Sequence, residues 1–296
     1  MHNTKVGHTL VVGASGRVGS EVLQLLEAHQ VAVRAASRTP RLRHSQCATT
    51  EWVSFDLDQP SSFEPALEGI ETVLLMARPG DERPQDSALP LLEAMGRARV
   101  ARVVNLTAMG CELRPDFGLR KVELALEASG LGYTHLRPNF FMQIFCAGPH
   151  FAQISRLRQI RLPAADARIS FIDARDVAAI AAQCIMNPEH VGHAYTLTGS
   201  EALSHADVTQ IITSVSNAKV DYVPLDENEA RDAFTRAGLA PVNVERLLGF
   251  YRLVRTGAAS AVSMDAHRLL GRAPRRFEAF ASECAGTWNA VPATTT

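Results

Sequence analysis

The segment Gly13-Ala14-Ser15-Gly16-Arg17-Val18-Gly19 follows directly on the apolar run Thr9-Leu10-Val11-Val12 and precedes an amphipathic stretch from Ser20 to His29. Strand, tight turn and helix in that order form the first half of a dinucleotide-binding βαβ unit. Gly13 permits a sharp turn at positive φ, Gly16 clears the backbone for a pyrophosphate, and Gly19 lets the helix lie close on the sheet. Free N–H groups at the helix start, with the helix dipole, favour the phosphates. Ser15, Arg17 and Val18 complete the candidate phosphate turn. The spacing is GxxGxxG rather than GxGxxG, and the same glycines also suit a tight strand–helix turn that binds nothing.

Short apolar strands then alternate with helical patterns. Strands are expected at 31–36, 51–55, 72–76, 102–106 and 132–136, with helices near 62–68, 86–99 and 118–129. That alternation predicts an α/β, Rossmann-type doubly wound parallel sheet covered on both faces, with right-handed crossovers. The second half is less regular: strands at 167–173, 194–198 and 220–223, and helices at 176–186, 203–215, 227–237 and 241–254. The expected organisation is a dinucleotide-binding domain over 1–150 and a smaller, partly helical substrate lobe over 151–296. Segments near 169–199 return to the Rossmann core, and the small, polar tail after Trp288 is expected to fray.

Composition excludes several function classes. A formal net charge of −1 implies no general attraction to nucleic acid or anionic membrane. No apolar stretch is long enough to span a bilayer. The five cysteines (Cys47, Cys111, Cys146, Cys184, Cys284) show no CxxC and no metal spacing, which fits a reducing cytoplasm. His190 and His193 are close in sequence but sit in a turn that reads as solvated, so no metal is expected. No GxSxG nucleophile motif occurs, which disfavours a hydrolase. A basic patch from Arg168, Arg175, Arg272, Arg275 and Arg276 reads as surface solvation. The expected partner is a small apolar molecule, and the expected state is monomer or homodimer.

The end of the second strand decides between NAD and NADP. The chain there reads Ser37-Arg38-Thr39-Pro40-Arg41-Leu42-Arg43, with no acid to bind ribose hydroxyls. Arg38 offers a permanently charged fork to a 2′-phosphate, and Ser37 a second donor, which favours NADPH. Asp56 is placed either to accept from an adenine amino group or to begin a helix.

These residues together resemble the NmrA-like group of atypical short-chain dehydrogenases/reductases. The likeness rests on the glycine turn, Ser37-Arg38-Thr39-Pro40, Phe55-Asp56-Leu57-Asp58, and Gly132-Tyr133-Thr134-His135-Leu136-Arg137-Pro138-Asn139-Phe140-Phe141-Met142-Gln143. Phe171-Ile172-Asp173-Ala174-Arg175-Asp176 and Tyr195-Thr196-Leu197-Thr198-Gly199 extend it through residues 8–288. The stretch Thr134–Met142 looks most like azoreductase and quinone-reductase members. The group also includes natural-product reductases, cyclases and NADP-sensing regulators, so it implies fold and cofactor more than substrate. By this resemblance Met76, Ala77 and Arg78 line the cofactor, with Asp56 and Leu57 as further cofactor-binding candidates. Thr107 takes the place of a serine near the nicotinamide, and Pro138, Asn139 and Phe140 pack beside it.

One departure concerns catalysis. The superfamily's Tyr-x-x-x-Lys pair falls on Pro115 and Leu119 when the helix is aligned through Glu123 and Leu126–Gly130. A second register, Phe117–Lys121, keeps only the lysine. At about 100° per residue, Arg120, Glu123 and Glu127 share one helix face, and Lys121 lies on the other with Leu124, Ala125 and Ala128. Lys5, Lys121 and Lys219 are the only lysines among 30 basic residues, so one on an apolar face stands out. Thr107 and Lys121 are therefore the catalytic candidates. The expected activity is NADPH-dependent reduction of a quinone, azo, enone or imine. The alternatives are a non-catalytic NADP(H) sensor and a non-redox cyclase or isomerase.

Overall fold

The computed structural model describes residues 8–39, 49–78 and 80–289. Its elements run β1 (His8–Val12), α1 (Arg17–Ala28), β2 (Val33–Ser37), β3 (Thr50–Ser54), α2 (Phe63–Leu67), β4 (Ile70–Met76), α3 (Pro84–Arg97), β5 (Arg102–Leu106), α4 (Gly118–Ala128) and β6 (Gly132–Pro138). There follow α5 (Pro149–Leu157), β7 (Gln159–Leu162), α6 (Ala174–Met186), β8 (His193–Leu197), α7 (His205–Ser216), β9 (Asp221–Pro224), α8 (Glu227–Arg236), α9 (Pro241–Arg255), α10 (Asp265–Leu270) and α11 (Phe277–Asn289). Two compact units result. The first holds the chain to Pro138 and Ala174–Leu197, and the second holds Asn139–Asp173 and the chain from Thr198. The first unit ends at Pro138 rather than near residue 150, because Asn139 already turns its amide to Ser170 and Ala259 of the second.

In the first unit seven parallel strands run in the order β3-β2-β1-β4-β5-β6-β8. The order reverses between β1 and β4, the switch point beyond whose strand ends such sheets bind ligands. Leu10, Val73 and Val103 pack under α2, α3 and α4 through Phe63, Leu67, Leu91, Met95 and Leu126. Their alternates Val11, Leu74 and Val104 point to the other face and are equally buried. There α1 packs against α6. Coverage on both faces explains why these strands read as continuous apolar runs.

The second unit joins β7 and β9 in a two-stranded parallel sheet and surrounds them with helices. Its core includes Phe145, Ile154, Phe171, Ile212, Phe277 and Trp288. Trp288 is fully buried and donates its indole N–H to the Phe145 carbonyl at 2.8 Å, which seats α11. Helix α7 begins in a Ser204/Asp207 capping box and α8 in an Asp226/Glu229 one.

Two expectations change here. Residues 167–173 are extended but form no strand. Ile169 and Ile172 make isolated bridges to Leu203 and Phe141, and Ser170 N–H donates to the Ala259 carbonyl. Loop segments satisfy this backbone, so no ladder forms. Helices α5, α10 and α11 and strand β7 fall where the sequence pattern predicts no element. Helix α11 carries the chain past Trp288 to Asn289; the tail beyond it, like Cys47 and residues 40–43, lies outside the described residues.

His205 is 1 % exposed among Phe145, Phe171, Tyr222 and His150, and its Nδ1 meets no hydrogen-bond partner. Burial, helped by the neighbouring His150, pushes its pKa down to about 3, and burial takes His150 to about 4. Both folded values lie below the unfolded value, so the unfolded chain binds protons first as the pH falls. Stability from these groups is complete above about pH 6.5 and is lost below it. At pH 5 the loss is about 2 kcal/mol for each histidine. Urea midpoints between pH 7.5 and 5 should fall in the wild type and fall less in His205→Phe. Parallel slopes would contradict this origin.

Candidate functional site

The glycine turn has the geometry its spacing demands. Gly13 takes φ +71°, and the Gly16 N–H closes the turn on the Gly13 carbonyl at 2.8 Å. A Cβ on Gly19 would stand 2.3 Å from that carbonyl oxygen, so only glycine allows α1 to approach β1 this closely. Gly16 caps α1 with no side chain to occupy the helix's first N–H groups. Ser15, Gly16 and Arg17 are exposed at this end and Val18 is buried beneath it. A backbone cradle of this kind, free of side chains and at the positive end of a helix, fits a pyrophosphate.

Neighbouring strand ends converge on the turn. Ser15 and Ser37 hydroxyls lie 3.2 Å apart, which ties the end of β2 to the turn. Arg38 and Thr39 beyond it are exposed. The Met76 methyl, at the end of β4, lies 3.5 Å from where a Gly13 Cβ would sit. Met76, Ala77 and Leu57 line a small cavity with Ser87, Asn105 and Leu119. Asp56 accepts the Asp58 N–H at 3.1 Å, so one of its oxygens serves a local turn. Arg78 grips Asp58 with both guanidinium arms and reaches Asp81 at 3.4 Å. The hydrogen bonds from Arg78 hold the Asp58 carboxyl below the usual range, and the Arg38 charge adds to this.

The largest feature unread in the sequence is a buried ionic cluster between β5, α4 and β6. Glu123 has no solvent exposure. It accepts from the Thr107 hydroxyl at 2.8 Å, from Arg120 at 2.8 Å, and from Arg137 through two bonds of 2.9 and 2.8 Å. The Cys111 thiol lies 3.2 Å away. Burial alone would raise the Glu123 pKa, but the bonds from Arg137, Thr107 and Arg120 outweigh it and hold the carboxyl at about 2. Burial, then the Glu123 charge, pushes the Cys111 thiol up to about 11, so it stays protonated. Glu127 joins through Arg120 at 2.7 Å and lies 3.4 Å from His135 Nε2. Glu123, Glu127 and His135 are close enough to ligate a metal, but the two guanidiniums already neutralise both carboxylates.

The burial of α4 corrects the expected helix faces. Lys121, Leu124 and Ala128 are exposed, while Gly118, Val122, Glu123 and Leu126 face inward. Lys121 therefore stands on the solvent side, not the apolar one, because the charged residue Glu123 is the one that finds buried partners. Pro115 is exposed before α4 begins. Thr107 is buried at the end of β5 with its hydroxyl engaged as described. Pro138 closes β6 and takes the Met109 N–H on its carbonyl. In the second unit Asn139 donates to Ser170 Oγ at 2.7 Å and the Ala259 carbonyl at 2.8 Å. Phe140 there packs on Phe250 and Phe171. His190 and His193 both pack on Tyr195, whose hydroxyl pairs with His190 at 2.9 Å.

A family model described as NAD(P)H-binding matches residues 13–188. An NAD(P)H azoreductase of Xenophilus azovorans is 29 % identical over 290 residues, covering 95 % of this chain and 99 % of that one. An NADPH-dependent quinone oxidoreductase of Escherichia coli, solved with NADPH, superimposes with a TM-score of 0.81 at 22 % identity, covering 93 % of this chain and 99 % of that one. NmrA, a negative transcriptional regulator solved with NADP, gives 0.73 at 19 % identity over 94 % of each chain. The two structural likenesses establish the fold. An α/β sheet with an uncapped glycine turn at its switch point is a dinucleotide-binding architecture. The chain belongs to the NAD(P)H-binding family. Among the described residues, no helix is long and apolar enough to cross a membrane.

Proposed function

We propose that this chain is an NADPH-dependent reductase of a flat, apolar electrophile: a quinone, azo compound, enone or imine. One observation carries the substrate class. Helix α4 has no tyrosine, Lys121 faces solvent, and the Thr107 hydroxyl is committed to Glu123. Among the described residues of α4 and the end of β5, no side chain is thus placed to protonate a simple ketone. An electrophile that accepts hydride at carbon or nitrogen needs mainly orientation and a dry environment. The azoreductase and quinone oxidoreductase among the similar proteins support the same class.

In this reading NADPH, when bound, supplies the hydride. Gly13, Ser15, Gly16, Arg17, Val18 and Gly19 hold its pyrophosphate. Ser37 and Arg38 hold the 2′-phosphate, and Asp56, Leu57, Met76 and Ala77 the adenosine side. Arg78 acts through its pair with Asp58. Pro138 and Thr107, at strand ends of the first unit, stand on the nicotinamide side. Lys121 has no part in it.

Purified chain should consume NADPH with at least one of quinones, azo dyes, enones and cyclic imines. Tight NADPH binding without consumption in any of them would replace this reading with an NADP(H) sensor. Arg38→Ala should raise KM for NADPH about tenfold or more and leave KM for NADH unchanged, since a charge-assisted bond to phosphate is worth roughly 1.5–3 kcal/mol. An equal effect on both cofactors would remove Arg38 from the 2′-phosphate site.

A further inference from the structure

We infer that Glu123 is a positioning residue that fixes the Thr107 hydroxyl as a hydrogen-bond acceptor toward bound NADPH, so that Thr107 holds the cofactor and does not donate the proton. The inference rests on the proposed function. Its basis is a count of protons and lone pairs inside the first unit.

Glu123 is sealed from solvent and gripped on both oxygens by Arg137, with Arg120 on Oε2. A carboxylate held between two guanidiniums is ionised and can only accept. Thr107 Oγ1 lies 2.8 Å from Glu123 Oε1, and its single proton goes there. The other acceptor near it, the Leu136 carbonyl, is at 3.4 Å and competes only for that same proton. The protonated Cys111 thiol has one proton, which goes to Glu123 Oε1 at 3.2 Å or to Thr107 Oγ1 at 3.7 Å; toward Thr107 it acts as a donor, and at least one Thr107 lone pair stays open. Lone pairs are what Thr107 has left to offer. They suit an N–H donor, such as the carboxamide of a nicotinamide, and they cannot protonate a developing anion.

Because Glu123 reaches the ligand only through Thr107, both side chains must be tested. NADPH affinity is measured by fluorescence titration of wild type, Thr107→Val, Thr107→Ser and Glu123→Gln, with melting temperature as the fold control and steady-state kinetics beside it. Thr107→Val keeps the Glu123–arginine pairs, so it tests the idea even if Glu123→Gln fails to fold. The expected result is about a tenfold weaker Kd for Thr107→Val, near wild-type Kd for Thr107→Ser, and a weaker Kd for Glu123→Gln. The loss should fall on KM for NADPH rather than on kcat. A Thr107→Val chain that binds NADPH as wild type does and loses kcat a hundredfold would make Thr107 the proton donor and overturn the inference. Wild-type affinity in a folded Glu123→Gln would overturn the role of Glu123. Failure of the wild type itself to bind NADPH would instead overturn the proposed function, and this inference with it.

Discussion

Gly19→Ala should weaken NAD(P)H binding at least a hundredfold and lower stability by about 1–3 kcal/mol. The added methyl would meet the Gly13 carbonyl oxygen at 2.3 Å and its carbon at 2.9 Å, and both are backbone atoms with no rotamer to yield. Relief requires α1 to move away from β1, which displaces the N–H groups that face the pyrophosphate. Gly96→Ala is the control. That glycine lies in α3 with open space around its would-be Cβ, so the change should stabilise the chain by about 0.5–1 kcal/mol and leave binding unchanged. Isothermal titration with NADPH and urea unfolding of both variants would check this. A Gly19→Ala chain that binds normally would mean the turn does not carry the cofactor.

Glu123→Ala should cost about 3–5 kcal/mol, because Arg137 loses its two-bonded partner and keeps only Glu112 at 3.6 Å, while Arg120 keeps Glu127. The Arg137 side chain is only 12 % exposed, so it cannot swing fully into water. Glu123→Ala with Arg137→Leu should recover part of the loss, since an apolar pair removes the unpaired charge. Urea unfolding of the two variants measures both effects. A loss below about 1 kcal/mol for the single change would show that water reaches the cluster.

The nucleotide half of the fold was legible because its signals are local. A strand, three glycines at fixed spacing and a helix specify their own geometry, and Gly13, Gly16 and Gly19 each do what their spacing requires. The strand starts and ends differ by a few residues, as at β2, where pairing with β3 extends the strand to Ser37. The second unit was harder to read. Helix α11 is held by Trp288 reaching Phe145, a contact across more than a hundred residues with no local trace. Residues 167–173 have strand composition but find loop partners instead of a ladder.

The site divides along the same line. The α4 periodicity sets Arg120, Glu123 and Glu127 on one face, as observed, and Lys121 with Leu124, Ala125 and Ala128 on the face read as apolar. What reverses the assignment is Arg137, an arginine between Leu136 and Pro138 on β6, a strand paired on both sides. A buried strand position holding an arginine demands a carboxylate close by. That was the available sign that Glu123 points inward and Lys121 outward. Arg78, expected to line the cofactor, is paired with Asp58 and Asp81, partners its strand-end position did not signal.

The most direct test of the central claim is the rate at which purified chain oxidises NADPH and NADH with a single quinone acceptor, compared as kcat/KM. Consumption of NADPH with a preference of tenfold or more over NADH is the predicted result. Equal use of the two cofactors, or consumption of neither, would contradict it.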